Sequence, residues 1–317
     1  MIEVDSLTKR FGSQIAVDDL SFSAPAGVIT GFLGPNGAGK STTMRMIVGL
    51  DVPTSGSARV NGRSYRDLPA PLREIGALLD ARATHPGRSA RDHLAAMALT
   101  HGIAAGRVEQ VIAMVGLTEV ADQRAKTFSL GMAQRLGIAS AMLGDPGTLI
   151  LDEPVNGLDA EGIRWIRTLL KRLAAEGRAI LLSSHLMSEM ALTADRLIIV
   201  GRGRLIADTT VDAIVAEASV GGTVHVHSPH ARELADALGR IDEAEVKLAD
   251  DRDELDVKGI PVSRVGEVAA ERGVVLHELI ARQVSLEDAY MQLTGDSVQY
   301  RAAPDQATDD AVLKQAA

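Results

Sequence analysis

The sequence predicts an α/β fold in which a mostly parallel sheet is flanked by helices, with an N-terminal antiparallel β layer, a helical insertion and a small α+β C-terminal domain. Three observations carry the prediction. The runs Leu149-Ile150-Leu151, Ala179-Ile180-Leu181-Leu182 and Leu197-Ile198-Ile199-Val200 are short, branched and bounded by turn residues, as expected of strands buried on both faces of a parallel sheet. Residues 1–33 alternate strand-like runs with polar turns, and Val60-Asn61-Gly62 carries a hairpin-type dipeptide, so the first layer reads as antiparallel. Residues 88–145 read as mostly helical, with Ser89 and Asp92 in capping-box spacing ahead of the apolar run Leu94 to Leu99.

Helices belong between the buried strands. Asp159 to Gly177 fits one: Asp159 is its N-cap, Ile163, Ile166, Leu170 and Leu173 form an apolar stripe, and Gly177 ends it. Beyond about residue 216 the pattern restarts with strand Thr223 to His227, helix Ala231 to Leu238, strands Ala244 to Leu248 and Glu254 to Val257, helix Val262 to Glu271 and strand Val274 to Leu279. That order predicts a small split βαβ sandwich. From Gly295 the chain is polar and Ala-rich without an apolar period, the composition of a disordered tail. The expected domains are therefore 1–216, with the helical insertion at about 83–145, a βαββαβ-like accessory domain at 217–294, and the tail at 295–317.

Composition narrows the function. With 46% hydrophobic and 24% charged residues the chain is of the ordinary globular class. Its net charge of −9 supplies no global basic field for a nucleic acid, so none is expected as a partner. The absence of cysteine excludes disulfides, Cys-ligated zinc and thiol catalysis. Met1 to Asp5 lacks the basic and apolar regions of a secretion signal, and stretches such as Leu136 to Gly144 fall far short of the about 20 apolar residues that cross a bilayer. A cytoplasmic location follows as the expectation, and any membrane role needs a partner chain.

The chemistry begins at Gly34-Pro35-Asn36-Gly37-Ala38-Gly39-Lys40-Ser41-Thr42, which satisfies G-x-x-x-x-G-K-[ST], follows the apolar strand Val28 to Leu33 and opens the helix Ser41 to Val48. This is the context of a phosphate-binding loop, and it makes the α/β core a P-loop NTPase core. The glycines let successive N–H groups turn inward to the α- and β-phosphates of ATP, where the helix N-terminus adds partial positive charge. Lys40 reaches the β/γ oxygens and the Ser41 hydroxyl is placed for Mg²⁺. The strand Thr148 to Leu151 then ends in Asp152 and Glu153. Asp152 is placed to orient Mg²⁺ from the second side, and strand alternation turns Glu153 to the opposite face, toward the γ-phosphate and an attacking water.

Phe128-Ser129-Leu130-Gly131-Met132-Ala133-Gln134-Arg135 resembles, in variant form, the signature sequence of ATP-binding cassette (ABC) transporter ATPases. Pro154-Val155-Asn156-Gly157-Leu158-Asp159 looks like that family's loop after the hydrolytic acid, and Leu182-Ser183-Ser184-His185 like its histidine switch. The resemblance implies two chains, a homodimer or a dimer with a related ATPase, sandwiching two ATP molecules. Ser129 and Gly131 of one chain then close on the γ-phosphate held by the other. It also implies that Glu153 and His185 are catalytic, that Asp159 communicates across the dimer, and that Phe11 stacks on adenine. Where the family usually places a glutamine that touches Mg²⁺ and senses the permease, after Ile75-Gly76-Ala77-Leu78-Leu79, this chain has Asp80, which is shorter, charged and acceptor-only; the resemblance carries it over as a metal residue acting through a water, or else as part of the permease contact alone.

The string Ser129 to Ala139 and the segment Leu286 to Thr294 resemble bacterial drug and antibiotic-resistance exporters of the bacitracin and daunorubicin type, whose ATPase and permease are separate chains. The resemblance implies a subunit peripheral to the inner face of the membrane, docked on an integral-membrane permease, and does not reach the cargo. Two other readings are a soluble ABC ATPase that remodels macromolecules and an ATP-gated regulatory module. The chain has no second cassette, zinc cysteines or long coiled coil of the first, and it retains the acid Glu153 and His185 that the second should lack. His225, His227 and His230 read as solvated strand-face histidines without an acid or cysteine cluster beside them.

Overall fold

A computed structural model of the chain describes residues 1–218, 222–249, 253–282 and 285–294. Strands β1 (Ile2–Phe11) and β2 (Gln14–Ala24) form an antiparallel hairpin. Strand β3 (Ile29–Leu33) leaves that layer and is buried at every position. Helix α1 (Lys40–Ile47) follows, then β4 (Ser55–Val60), which pairs antiparallel with β1. At the end of β4, Asn61 and Gly62 have φ of 51° and 77°, the doubly left-handed turn that the dipeptide favours, but it closes only a bridge from Val60 to Arg63.

After the single turn α2 (Pro71–Glu74) comes β5 (Ile75–Leu78), and the insertion follows as α3 (Ala90–Thr100), α4 (Ala105–Met114) and α5 (Leu130–Met142). Two of these helices begin on serine caps: Ser89 accepts from the Asp92 N–H and Ser129 from the Met132 N–H. The α/β pattern resumes with β6 (Thr148–Leu151), α6 (Ala160–Ala175), β7 (Ala179–Ser183), α7 (Met187–Thr193), β8 (Arg196–Gly201) and β9 (Arg204–Thr210). The six-stranded sheet runs β5-β6-β7-β3-β8-β9, parallel except for β9. One of its faces packs on α5 and α6 through Leu136, Leu149, Ile166, Leu170 and Leu182; the other packs on α1 and the N-terminal layer through Phe32, Met44, Ile150 and Ile198. Each such side chain contributes about 1.5–3 kcal/mol by leaving water.

Helix α8 (Val211–Ala218) leads to a second unit of β10 (Thr223–His227), α9 (Ala231–Leu238), β11 (Glu245–Leu248), β12 (Glu254–Lys258), α10 (Val262–Arg272) and β13 (Glu278–Arg282). Its antiparallel sheet has the order β11-β12-β10-β13, and a separate core around Val226, Leu234, Val257 and Val265 lies between sheet and helices. The last strand lies further along the chain than the expected Val274 to Leu279. Helix α10 ends on left-handed Gly273, Val274 folds back so that its N–H reaches the Ala269 carbonyl, and the chain meets the sheet edge only from His277, whose N–H reaches the His227 carbonyl at 2.9 Å. The expected accessory boundary also differs from the packing at its far end. Helix α11 (Leu286–Thr294) buries Leu286 and Ala289 with Ile214 of α8 in the core of the large domain. The expected disordered tail lies outside the described residues.

Candidate nucleotide-binding and hydrolytic site

The loop between β3 and α1 is shaped by its glycines. Gly39, at the helix N-cap, has φ of 95°, and a Cβ there would lie 2.4 Å from the Ala16 carbonyl oxygen, so a side chain is excluded by both conformation and space. The resulting ring of backbone, from Gly34, Pro35, Asn36, Gly37 and Ala38 to Thr42, opens at the N-terminus of α1. Lys40 Nζ lies over the loop and donates to the carbonyls of Gly34 at 2.6 Å and Pro35 at 3.2 Å. Burial pushes its pKa down, opposed by the negative charges of Glu153 and Asp152.

Strands β3, β6 and β7 bring the acids to this loop. Asp152 receives hydrogen bonds from Ser41 Oγ at 2.6 Å on one carboxylate oxygen and from Ser183 Oγ on the other. Ser183 also accepts from the Glu153 N–H at 2.9 Å, so one hydroxyl at the end of β7 fixes both acids. Strand β6 stops at Leu151, and the Asp152 N–H still reaches the Leu78 carbonyl at 2.7 Å. Strand alternation therefore does not orient Glu153, contrary to the sequence expectation. Glu153 has φ of 52°, and this left-handed turn redirects the chain and the side chain together. Its Oε2 lies 2.7 Å from His185 Nδ1 and accepts from the His185 N–H at 3.3 Å.

The Ser41 hydroxyl and the Asp152 carboxylate offer hard oxygens at one point, the donor type that Mg²⁺ takes when phosphates and water complete its shell. Among the described residues no three His, Cys, Asp or Glu side chains form a metal-binding group. Asp80 Oδ1 accepts from the Arg82 N–H at 2.8 Å in a local turn. Phe11 is 51% exposed with Lys9 Nζ 4.9 Å above its ring, an open aromatic face at the edge of the N-terminal layer.

Ser129 and Gly131 have no hydrogen bond to their own phosphate loop among the described contacts. Ser129 borders a separate hollow of about 310 Å³, lined also by Arg82, Pro86, Lys126 and Phe128. Asp159 Oδ1 caps α6 by accepting from Gly162 N–H at 2.8 Å. Two residues of the site were not picked out in the sequence, Ser183 and Gln134; both lie inside strings that were. Gln134 Nε2 donates to the Glu153 carbonyl at 2.9 Å. In the second unit, His225 Nδ1 lies 2.9 Å from Asp256 across the β10–β12 pair, a single acid rather than a cluster, and His230 stands at the N-cap position of α9 without a side-chain cap bond.

The ABC transporter family model matches residues 17–156, and a domain of unknown function (DUF8746) matches residues 222–287. An uncharacterised ABC transporter ATP-binding protein of Bacillus subtilis strain 168, YhcH, is 36% identical, with 94% of this chain and 97% of the relative aligned. The chain belongs to the ABC transporter ATP-binding proteins. The bacitracin transport ATP-binding protein BcrA of Bacillus licheniformis is 34% identical to this ABC ATPase over 93% of the chain and 97% of its own length. A solved ATP-binding subunit of an ABC transporter superposes with a TM-score of 0.63 at 28% identity, covering 68% of this chain and 92% of that one. A dimeric ATP-binding cassette bound to ADP and Pi shares the fold at 23% identity and a TM-score of 0.62, covering 67% of this chain and 99% of its own. As an ABC ATPase the chain binds and hydrolyses ATP, and among its described residues no helix is long and apolar enough to cross a membrane.

Proposed function

We propose that this ATPase powers an exporter of the antibiotic-resistance type, working as a dimer on the inner face of the membrane beneath a separate permease. The observation that carries the hydrolytic part is that the ends of β3, β6 and β7 bring together Lys40 on the loop carbonyls, Ser41 bonded to Asp152 at 2.6 Å and Glu153 bonded to His185 at 2.7 Å, with Ser183 joining the two acids. Lys40 and the loop amides bind the β- and γ-phosphates. Ser41 and Asp152 hold Mg²⁺, which when bound neutralises phosphate charge. Glu153 accepts the proton of the attacking water, and His185 orients that carboxylate and the γ-phosphate. Phe11 supports the adenine ring.

Ser129 and Gly131 stand at the start of α5, whose N-terminal N–H groups suit an anion, which supports binding of the partner subunit's γ-phosphate. Asp159, next to that helix in the fold, lies at the same dimer face. A relative named as a Nod factor export ATP-binding protein, 32% identical over 94% of this chain, supports export as the direction of transport.

The permease's cytoplasmic helix docks near Arg82 to Arg91, together with the segment zipped to that loop. Ala125 N–H bonds to the Arg88 carbonyl and Lys126 N–H to that of Pro86, which brings Arg82, Arg88, Arg124 and Lys126 to one surface. These four are exposed and form no ion pair among the described residues, in a chain whose net charge is −9. They favour an acidic cytoplasmic helix of the permease. Cysteine cross-links scanned from residues 80–93 to the co-expressed permease test this; an active complex with no cross-link anywhere in that span would refute the docking site.

A further inference from the structure

Gln134 is 3% exposed, a buried amide in the second turn of α5, and it spends its donor on the main chain of another segment. The acceptor is the carbonyl of Glu153, a non-glycine residue at φ 52°, a conformation that such a residue holds only when its surroundings fix it. Four contacts restrain Glu153: Ser183 Oγ takes its N–H, His185 meets its carboxylate, and its carbonyl accepts from Gln134 Nε2 at 2.9 Å and from the Asn156 N–H at 3.2 Å. Of these, only the Gln134 bond reaches the Glu153–Pro154 peptide from α5; Asn156 lies in the loop that this peptide itself begins.

Helix α5 is pressed against the same loop. A Cβ on Gly131 would lie 2.6 Å from the Gly157 carbonyl oxygen, so the first turn of the helix rides directly on the backbone that follows Glu153. Further along, Arg135 donates to the Val115 carbonyl at 2.8 Å and stacks over Trp165 at 4.7 Å, which anchors the helix to α4 and α6. The amide of Gln134 is thus held by a fixed helix and aimed at a strained peptide.

We infer that Gln134 is a positioning residue for hydrolysis: its amide sets the rotation of the Glu153 peptide and so aims the carboxylate at the attacking water. The inference rests on the reading of Glu153 as the base. Gln134 also shares its helix with Ser129, so the group that meets the partner's nucleotide and the group that aims the chain's own base move as one piece.

A double-mutant cycle on the full-length chain tests it. Gln134→Met keeps the length without a donor, and Gln134→Glu keeps the shape while placing an acceptor against a carbonyl. Either should lower kcat about tenfold, the effect of one buried hydrogen bond, with KM for Mg-ATP within about twofold of the parent. In a Glu153→Gln background the same changes should alter residual turnover by less than about twofold, and Mg-ATP should still drive dimer formation. If one variant misfolds, the other completes the cycle. Parental kcat in Gln134→Met, or an equal loss in both backgrounds, overturns the inference, because a merely structural role lowers both alike. Loss of the Mg-ATP-driven dimer overturns it too, by putting Gln134 in the nucleotide sandwich. Parental turnover in Glu153→Gln alone instead faults the assignment of the base.

Discussion

Replacing Glu153 by glutamine is the sharpest perturbation of the proposed hydrolytic site. The substitution keeps length and planarity, and a glutamine oxygen can still accept from the His185 N–H, which now lies 3.3 Å from Oε2. What is lost is the basic carboxylate facing His185 Nδ1 at 2.7 Å. The Glu153 side chain is 25% exposed and His185 59%, so the fold should lose no more than about 1 kcal/mol with this pair. Catalysis should lose far more: general-base assistance is worth about 10²–10⁴-fold, or roughly 2.7–5.5 kcal/mol of barrier. The expected variant therefore folds, binds Mg-ATP and releases phosphate about 10²–10⁴ times more slowly. Because the nucleotide persists, Mg-ATP should convert the isolated subunit from monomer to dimer, read as mass by light scattering. Adding Ser129→Arg should abolish that dimer by filling the position at which the signature helix meets the γ-phosphate. Phosphate release at the parental rate, or a monomer at saturating Mg-ATP, would refute the reasoning.

Lys40→Ala removes the amine that folds over the phosphate loop, so Mg-ATP affinity should fall more than about tenfold with little change in melting temperature; calorimetry that returns the parental affinity refutes the assignment. Arg82→Glu combined with Lys126→Glu reverses the charge of the docking surface and should weaken co-purification with the permease, and an unchanged yield counts against an acidic helix there. Leu286→Ala, at a residue 4% exposed in the large domain's core, should cost about 2–5 kcal/mol, seen as a lower urea midpoint of the ATPase; an unchanged midpoint would show that α11 is not part of that core. The pKa of His93 is lowered from 6.5 mainly by burial, with Arg88 and His85 adding repulsion. A depressed folded-state value means that its stability is full above about pH 6.5 and is lost as pH falls through that range, so His93→Gln should flatten the urea midpoint between about pH 7 and 5. A parental pH profile in that variant excludes His93 as the cause.

The parallel strands were legible because burial on both faces leaves nothing but apolar side chains in them; Thr148 to Leu151 and Ala179 to Leu182 could hardly read otherwise. The phosphate loop was legible for a different reason. Its glycines are demanded locally, by φ and by the closeness of Ala16, so the requirement is written in consecutive residues. Caps such as Ser89, Ser129 and Asp159 belong with it, since each bonds to an N–H three residues on.

Contacts between distant segments were not legible in the same way. Gln134 and Glu153 are 19 residues apart, and Ser183 and Asp152 are 31 apart; no periodicity within either segment encodes the meeting. The turn at Glu153 was misread because alternation was extended past the end of the strand. A strand's period holds only while its ladder does, and the ladder stops where the Asp152 carboxylate turns to Ser41 and Ser183. The error in β13 has the same origin: Val274 to Leu279 is apolar enough for a strand, yet Val274 is claimed first by the end of α10. Helix α11 resembles an accessory element by its place in the chain, but Leu286 and Ala289 lie three apart, on the side of the helix that packs into the large domain's core. In each case the residue types were right for burial or bonding, and tertiary competition decided the partner.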